Sequence, residues 1–160
     1  MGKRRDAREA AVQFLFQRDL HPPGQQVSIE DFWALRPAPG NVQKFATELI
    51  SGVLGNQTAI DDQIKKFLKN YEIGRVAAVD RNVLRVAVYE MLFCPDIPPV
   101  ISINEAIEVA KKFGAEQSGN FVNGVLDRIR ADVPRSAREP MKRPSPDAAA
   151  PIGKSEIGNS

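Results

Sequence analysis

The tightest constraint on the fold is the stretch 101–129, ISINEAIEVAKKFGAEQSGNFVNGVLDRI, whose apolar residues recur with the helical period and never with that of a strand. Ile103, Ala106, Ile107, Ala110 and Phe113 form one stripe, and Val122, Val125, Leu126 and Ile129 form a second after a short polar link. Ser102, followed three residues later by Glu105, reads as a capping box. Gly114 stands where a helix takes a left-handed C-terminal residue, and Ser118 reads as the cap of the next helix. Two amphipathic helices joined so tightly are expected to pack antiparallel. The polar residues of the link and the second helix (Glu116, Gln117, Ser118, Asn120, Asn123) exceed what capping requires, and predict a surface with a duty of its own.

The rest of the chain follows the same period. A helix is predicted over 4–19, with Ala7, Ala11, Phe14 and Leu15 as its stripe, closed by His21-Pro22-Pro23-Gly24. Ser28 caps a short helix carrying Phe32, Trp33 and Leu35. Asn41 caps a strong one carrying Val42, Phe45, Ala46, Leu49, Ile50 and Val53. After Gly55-Asn56 the stripe is Ile60, Ile64, Phe67, Leu68 and Tyr71. After Ile73-Gly74 a longer helix runs over 76–93 and ends at Asp96-Ile97-Pro98-Pro99. The fold class is therefore all-α, with about seven helices. The linker 20–40 suggests an N-terminal sub-bundle meeting a C-terminal one within a single helical domain, residues 1–133. Residues 134–160, with five prolines among Ser, Ala and Gly, are expected to form a disordered tail.

Charge narrows the function. Of 22 basic and 20 acidic residues, five and three lie in 134–160, which leaves seventeen of each in 1–133. Within that neutral body Lys3, Arg4, Arg5 and Arg8 cluster at the start against Asp6, as in an anion-binding arm. Basic residues in a first helical turn oppose the helix dipole, so something has to compensate them, and a phosphate backbone would do so. The plainer reading is a solvated helix end. Enzymatic chemistry finds little support: the single histidine, His21, sits in a Pro-rich loop, and Cys94 closes an apolar helix as a buried thiol. Asp61-Asp62 reads as a solvated helix face. No cofactor motif and no cluster with metal-ligand spacing is present, and no apolar run is long enough for a membrane span. The N-terminus lacks the apolar core of a signal peptide, and a lone cysteine suits a reducing compartment; a cytoplasmic protein is expected.

The predicted helix over 76–93, VAAVDRNVLRVAVYEMLF after Arg75, interrupts an apolar run with Asp80, Arg81, Arg85 and Glu90. Arg81 and Arg85 share a face. These charges either tie neighbouring helices together as internal ion pairs or present a polar surface to a protein partner.

Three blocks, RRDAREAAVQFLFQ, VDRNVLRVAVYEML and INEAIEVAKKFGAEQSGNFVNGVLDRI, carry a resemblance to the NusB family of transcription antitermination factors, over residues 4–130. The resemblance implies two three-helix bundles packed together. It also implies a protein that binds the boxA element of ribosomal RNA leader transcripts together with the ribosomal protein NusE, within an antitermination complex on RNA polymerase. On that resemblance Lys3, Arg4, Arg5 and Arg8, with Gln117, Ser118, Asn120 and Phe121, correspond to the RNA-contacting residues. Asp80, Arg81, Arg85 and Glu90 correspond to the region that meets NusE. The sequence departs from the family pattern at Gln117, where Asp is common, and at Phe16, where Tyr is common. The expectation is that Arg5→Ala with Arg8→Ala weakens boxA binding without lowering thermal stability. Two alternatives stand beside it: a helical protein-interaction module without RNA binding, and the RNA-binding module of a ribosomal RNA cytosine methyltransferase without its catalytic domain. The sequence is compatible with a monomer or a homodimer.

Overall fold

A computed structural model describes residues 2–69 and 72–133. It contains seven α-helices: α1 (Gly2–Leu20), α2 (Ile29–Leu35), α3 (Gly40–Gly55), α4 (Gln57–Lys65), α5 (Ala78–Phe93), α6 (Pro99–Phe113) and α7 (Ser118–Asp132), with one 3₁₀ turn over Ile73–Arg75. The described residues include no strand. The tail expected over 134–160 and Tyr71 lie outside the described residues.

The hub is α5, with thirteen of its sixteen residues buried. A helix that is apolar nearly all round must be covered on every side. It packs against α1, α3 and α4 on one side, and against α6 and α7, with which it closes a three-helix bundle, on the other. The predicted stripes are the core: Ala7, Ala11, Phe14, Leu15, Leu49, Ile50, Ile60, Ile64, Ile103, Ala110, Leu126 and Ile129 are all buried. The α2 helix is held by Phe32, whose ring meets Phe14 edge-on at 5.4 Å. Leu35, read as part of the same stripe, is instead exposed. Gly52 of α3 lies against the ring of Tyr89 on α5, where a Cβ would collide with the ring. That close approach, and not backbone freedom, accounts for glycine there.

The helical hairpin forms as expected, but its punctuation differs. Pro98 caps α6 and Pro99 is its first residue, so Ser102 and Glu105 are inside the helix. Proline favours the first helical turn, where its missing N–H costs nothing, and here it moves the start upstream of the predicted capping box. Gly114 has φ −98° and ψ −166°, which is extended and not left-handed. It is glycine because a Cβ would sit 2.5 Å from Ser118 Oγ and 2.7 Å from the Ala110 carbonyl oxygen. Ser118 is the first residue of α7 and not its cap. Its hydroxyl reaches back and accepts the Ala115 N–H at 2.9 Å. Asn41 likewise falls inside α3, whose N-cap is Pro39, whereas Ser28 caps α2 as predicted by accepting the Asp31 N–H at 3.1 Å.

Candidate nucleic-acid interface

The first turn of α1 carries basic residues and no acidic one. The compensation that the helix dipole calls for comes from inside the protein. Arg5 donates from Nε and Nη2 to the two oxygens of Glu105 on α6, at 2.8 and 2.9 Å. The hydrogen bonds from Arg5, with its charge, hold the Glu105 carboxyl below the usual carboxylate range against the opposing effect of burial. Arg4 lies over the ring of Phe45 on α3, 4.4 Å from its centre. Such a contact attracts the cation to the ring face and holds the exposed guanidinium beside Phe45. Lys3 and Arg4 are exposed, and neither has an acidic partner among the described residues.

Farther along α1, Glu9 accepts from Lys112 Nζ of α6 at 3.0 Å. Lys111, the neighbour of Lys112, packs its side chain on Gly119 at the start of α7. Gln117 and Asn120 follow there, both exposed and joined by a 3.3 Å bond from Asn120 Nδ2 to Gln117 Oε1. Phe121 is half-buried, with its ring against the core. One strip thus runs from Phe45 and Arg4, across Arg5 and Lys112, to Lys111, Gln117 and Asn120. Its composition, exposed cations beside amides and aromatic edges, suits a polyanion with unstacked bases. Lys111, Lys112 and Phe45 are the members that sequence reasoning missed. The paired lysines at the C-terminus of α6 were a signal for two of them. The position of Phe45 against α1 had none.

Two residues assigned to the strip are elsewhere. Arg8 is buried, and its Nε and Nη2 donate to both oxygens of Glu90 at 2.7 and 3.0 Å. Ser102 Oγ donates to the same carboxylate at 2.6 Å. The reason is helical pitch: Arg8, Val12 and Leu15 share a face, so Arg8 turns inward with the apolar residues. Ser118 is also buried, its hydroxyl occupied by Ala115.

The four charges of α5 divide likewise. Glu90, 1% exposed, is the buried partner of Arg8 and faces no surface. Arg85 holds Asp61 of α4 with two bonds, at 2.9 and 3.0 Å, and Asp19 of α1 with a third at 3.0 Å. Asp61 is therefore no solvated face residue, as read from the sequence, but a helix tie. Arg81 joins the cluster through Asp19 at 3.0 Å and caps the Val76 carbonyl at 2.6 Å. Burial pushes the Asp19 carboxyl up, but the Arg85 charge and the bonds from Asn82 and Arg81 outweigh it and hold the group below its ordinary range. For Glu90 and Arg85 the internal-pair alternative is what the fold contains. Asp80 is different: it stands in the first turn of α5, and its Oδ1 is buried with no hydrogen-bond partner. The preceding residue, Val79, lines a groove of about 300 Å³ with Val12, Gln13, Phe16, Gln17 and Phe113.

Among the described residues no group of three or more His, Cys, Asp or Glu side chains is placed to hold a metal ion, and no helix is long and apolar enough to cross a membrane. A model of the NusB family matches residues 5–131. The transcription antitermination protein NusB of Desulfatibacillum aliphaticivorans is 43% identical over 143 residues, covering 89% of this chain and all of that protein. Among solved structures, NusB of T. maritima superposes with a TM-score of 0.74 at 38% identity, covering 85% of this chain and 96% of that one. A structure of the antitermination factors NusB and NusE in complex with double-stranded RNA superposes with a TM-score of 0.72 at 29% identity, covering 82% and 98%.

Proposed function

Since the chain belongs to the NusB family, we propose that it is an RNA-binding transcription antitermination factor that takes the boxA element of ribosomal RNA leader transcripts together with the ribosomal protein NusE. It works as a noncatalytic adaptor in the cytoplasm, on the antitermination complex of RNA polymerase, and residues 1–133 are the working unit. The observation that carries the reading is the strip of exposed Lys3 and Arg4, with Arg4 laid on Phe45, continuing to Gln117 and Asn120. Lys3, Arg4 and Arg5 meet phosphates, while Gln117, Asn120 and the edge of Phe121 meet bases. Arg8 and Ser118 act from beneath, as supports. NusE takes the groove between α1 and the start of α5, with Asp80 next in sequence to its lining residue Val79. Arg81, Arg85 and Glu90 shape this region through their internal pairs.

The test is fluorescence anisotropy of a labelled boxA RNA, against a scrambled RNA, with and without NusE at several salt concentrations. Lys3→Ala with Arg4→Ala is expected to weaken binding to both RNAs and to lower the salt slope by about 0.7 for each lost phosphate contact. Sequence-independent binding that NusE leaves unchanged would reject the reading.

A further inference from the structure

The strip is not left bare. Three of its cations face carboxylates, and the pairs differ in strength. Glu108 and Lys111 stand one helical turn apart at 3.6 Å with both side chains well exposed, an arrangement that contributes little. Glu9 and Glu105 differ from Glu108 in having side chains only 12% and 13% exposed, each aimed outward at a cation more exposed than itself. Of Arg5's five N–H groups, two that form one of its bidentate forks, on Nε and Nη2, are taken by Glu105. The Nη1 of buried Arg8 is a further 4.0 Å from Glu105 Oε1, so this carboxylate stands between two guanidinium groups and is fixed in place. Lys112 gives one of its three donors to Glu9.

Resting on the RNA-binding reading above, we infer that Glu105 and Glu9 are built-in counter-ions that occupy Arg5 and Lys112 in the free protein and set the affinity of the strip for RNA. A phosphate that takes the fork of Arg5 must displace Glu105 or share the guanidinium with it. In either case the gain is only the difference between two charge-assisted contacts. Lys3 and Arg4, which have no such partner among the described residues, remain to make first contact. A basic surface of this kind holds any single RNA strand loosely. It retains one only when contacts outside the masked cations, such as base contacts or a partner's own surface, add to the binding. Discrimination against bulk RNA is thus written into α1 and α6 as two acidic residues, not into the cations themselves.

The substitutions Glu105→Gln and Glu9→Gln isolate the charge, because glutamine keeps the shape and one acceptor for the same cation. They act on separate pairs, so a folding defect in one variant leaves the other readable. The measurement is anisotropy of a short labelled single-stranded boxA RNA and of a scrambled RNA across a salt series, with Lys3→Ala/Arg4→Ala as the reference. Each Gln variant should bind both RNAs about threefold more tightly at low ionic strength, the effect of one charge roughly 7 Å from a phosphate in water. The gain should fade as salt rises, and the salt slope should steepen by up to about 0.7 per released cation. If the reference variant weakens binding while both Gln variants bind like the parent or more weakly, the counter-ion inference is wrong and the RNA surface stands. If neither the reference nor the Gln variants change binding, the strip is not an RNA surface and the inference falls with it.

Discussion

Replacing Arg8 by alanine is expected to destabilise the fold by about 3–5 kcal/mol, because it leaves a buried carboxylate without its counter-charge. Glu90 is 1% exposed and accepts three hydrogen bonds: two from Arg8, at 2.7 and 3.0 Å, and one from Ser102 at 2.6 Å. Only the last survives in the variant. The pair borders a half-open pocket of about 10 Å³, room for roughly one water. The space vacated by the arginine adds to it, so hydration of Glu90 brings the loss toward the lower end of that range. For a domain of this size the loss corresponds to a fall in Tm of about 10–15 °C. Arg5→Ala removes a pair whose arginine is 34% exposed, and should cost about 1 kcal/mol or less. Urea unfolding followed by far-ultraviolet circular dichroism separates the two. The double variant Arg8→Met/Glu90→Leu should be more stable than the single variant Arg8→Met, since the uncompensated charge is gone. The reasoning is refuted if Arg8→Ala unfolds within 1 kcal/mol of the parent while losing RNA affinity as much as Lys3→Ala/Arg4→Ala. Arg8 would then act at the surface, as the sequence reading had it. For the combined Arg5→Ala/Arg8→Ala variant, weaker RNA binding with unchanged stability is no longer the expected result; binding and stability should fall together.

Other consequences are open to measurement. Gly52→Ala, which in an open helix would stabilise by about 0.5–1 kcal/mol, should instead destabilise by about 1–3 kcal/mol, because the added methyl lands on the buried ring of Tyr89. Thermal melts settle the sign. Glu105 and Asp19 both titrate below their usual values, so the stability they add is complete above their unfolded values, near pH 4, and is lost as pH falls through the lowered ones. Acid titrations of Glu105→Gln and Asp19→Asn should each show a shallower loss of stability below about pH 4 than the parent, and parallel curves would argue against the assignment. Asp80→Ala should change stability by about 1 kcal/mol or less, since it removes an orphaned oxygen along with a favourable first-turn charge. It should weaken NusE binding in calorimetry, and unchanged affinity would remove Asp80 from the partner surface.

The elements of this fold were legible in the chain because helix periodicity is a local property. The stripes of α1, α3, α6 and α7 are spaced as buried faces, and they are buried except for Phe45, Ile107 and Phe113, which are partly buried. Family membership was legible too, in the spacing of three blocks along nearly the whole described chain. Helix ends were less so, because Pro99 and the contact of Ser118 with Ala115 compete with the capping residues that the local pattern favours. The charges were least legible. Arg5 and Arg8 are near neighbours in one basic cluster, yet Arg5 pairs at the surface with Glu105 and Arg8 in the core with Glu90. Faint signals existed: Arg8 falls on the face of Val12 and Leu15, and Glu90 lies in an apolar run, so each needed a partner of opposite sign. The sequence determined which residues face a helix's buried side and that charges there must be paired. Only the tertiary structure decided which charge met which, because ionic partners 82 and 100 residues apart are brought within 3 Å by packing around α5 and not by any local rule.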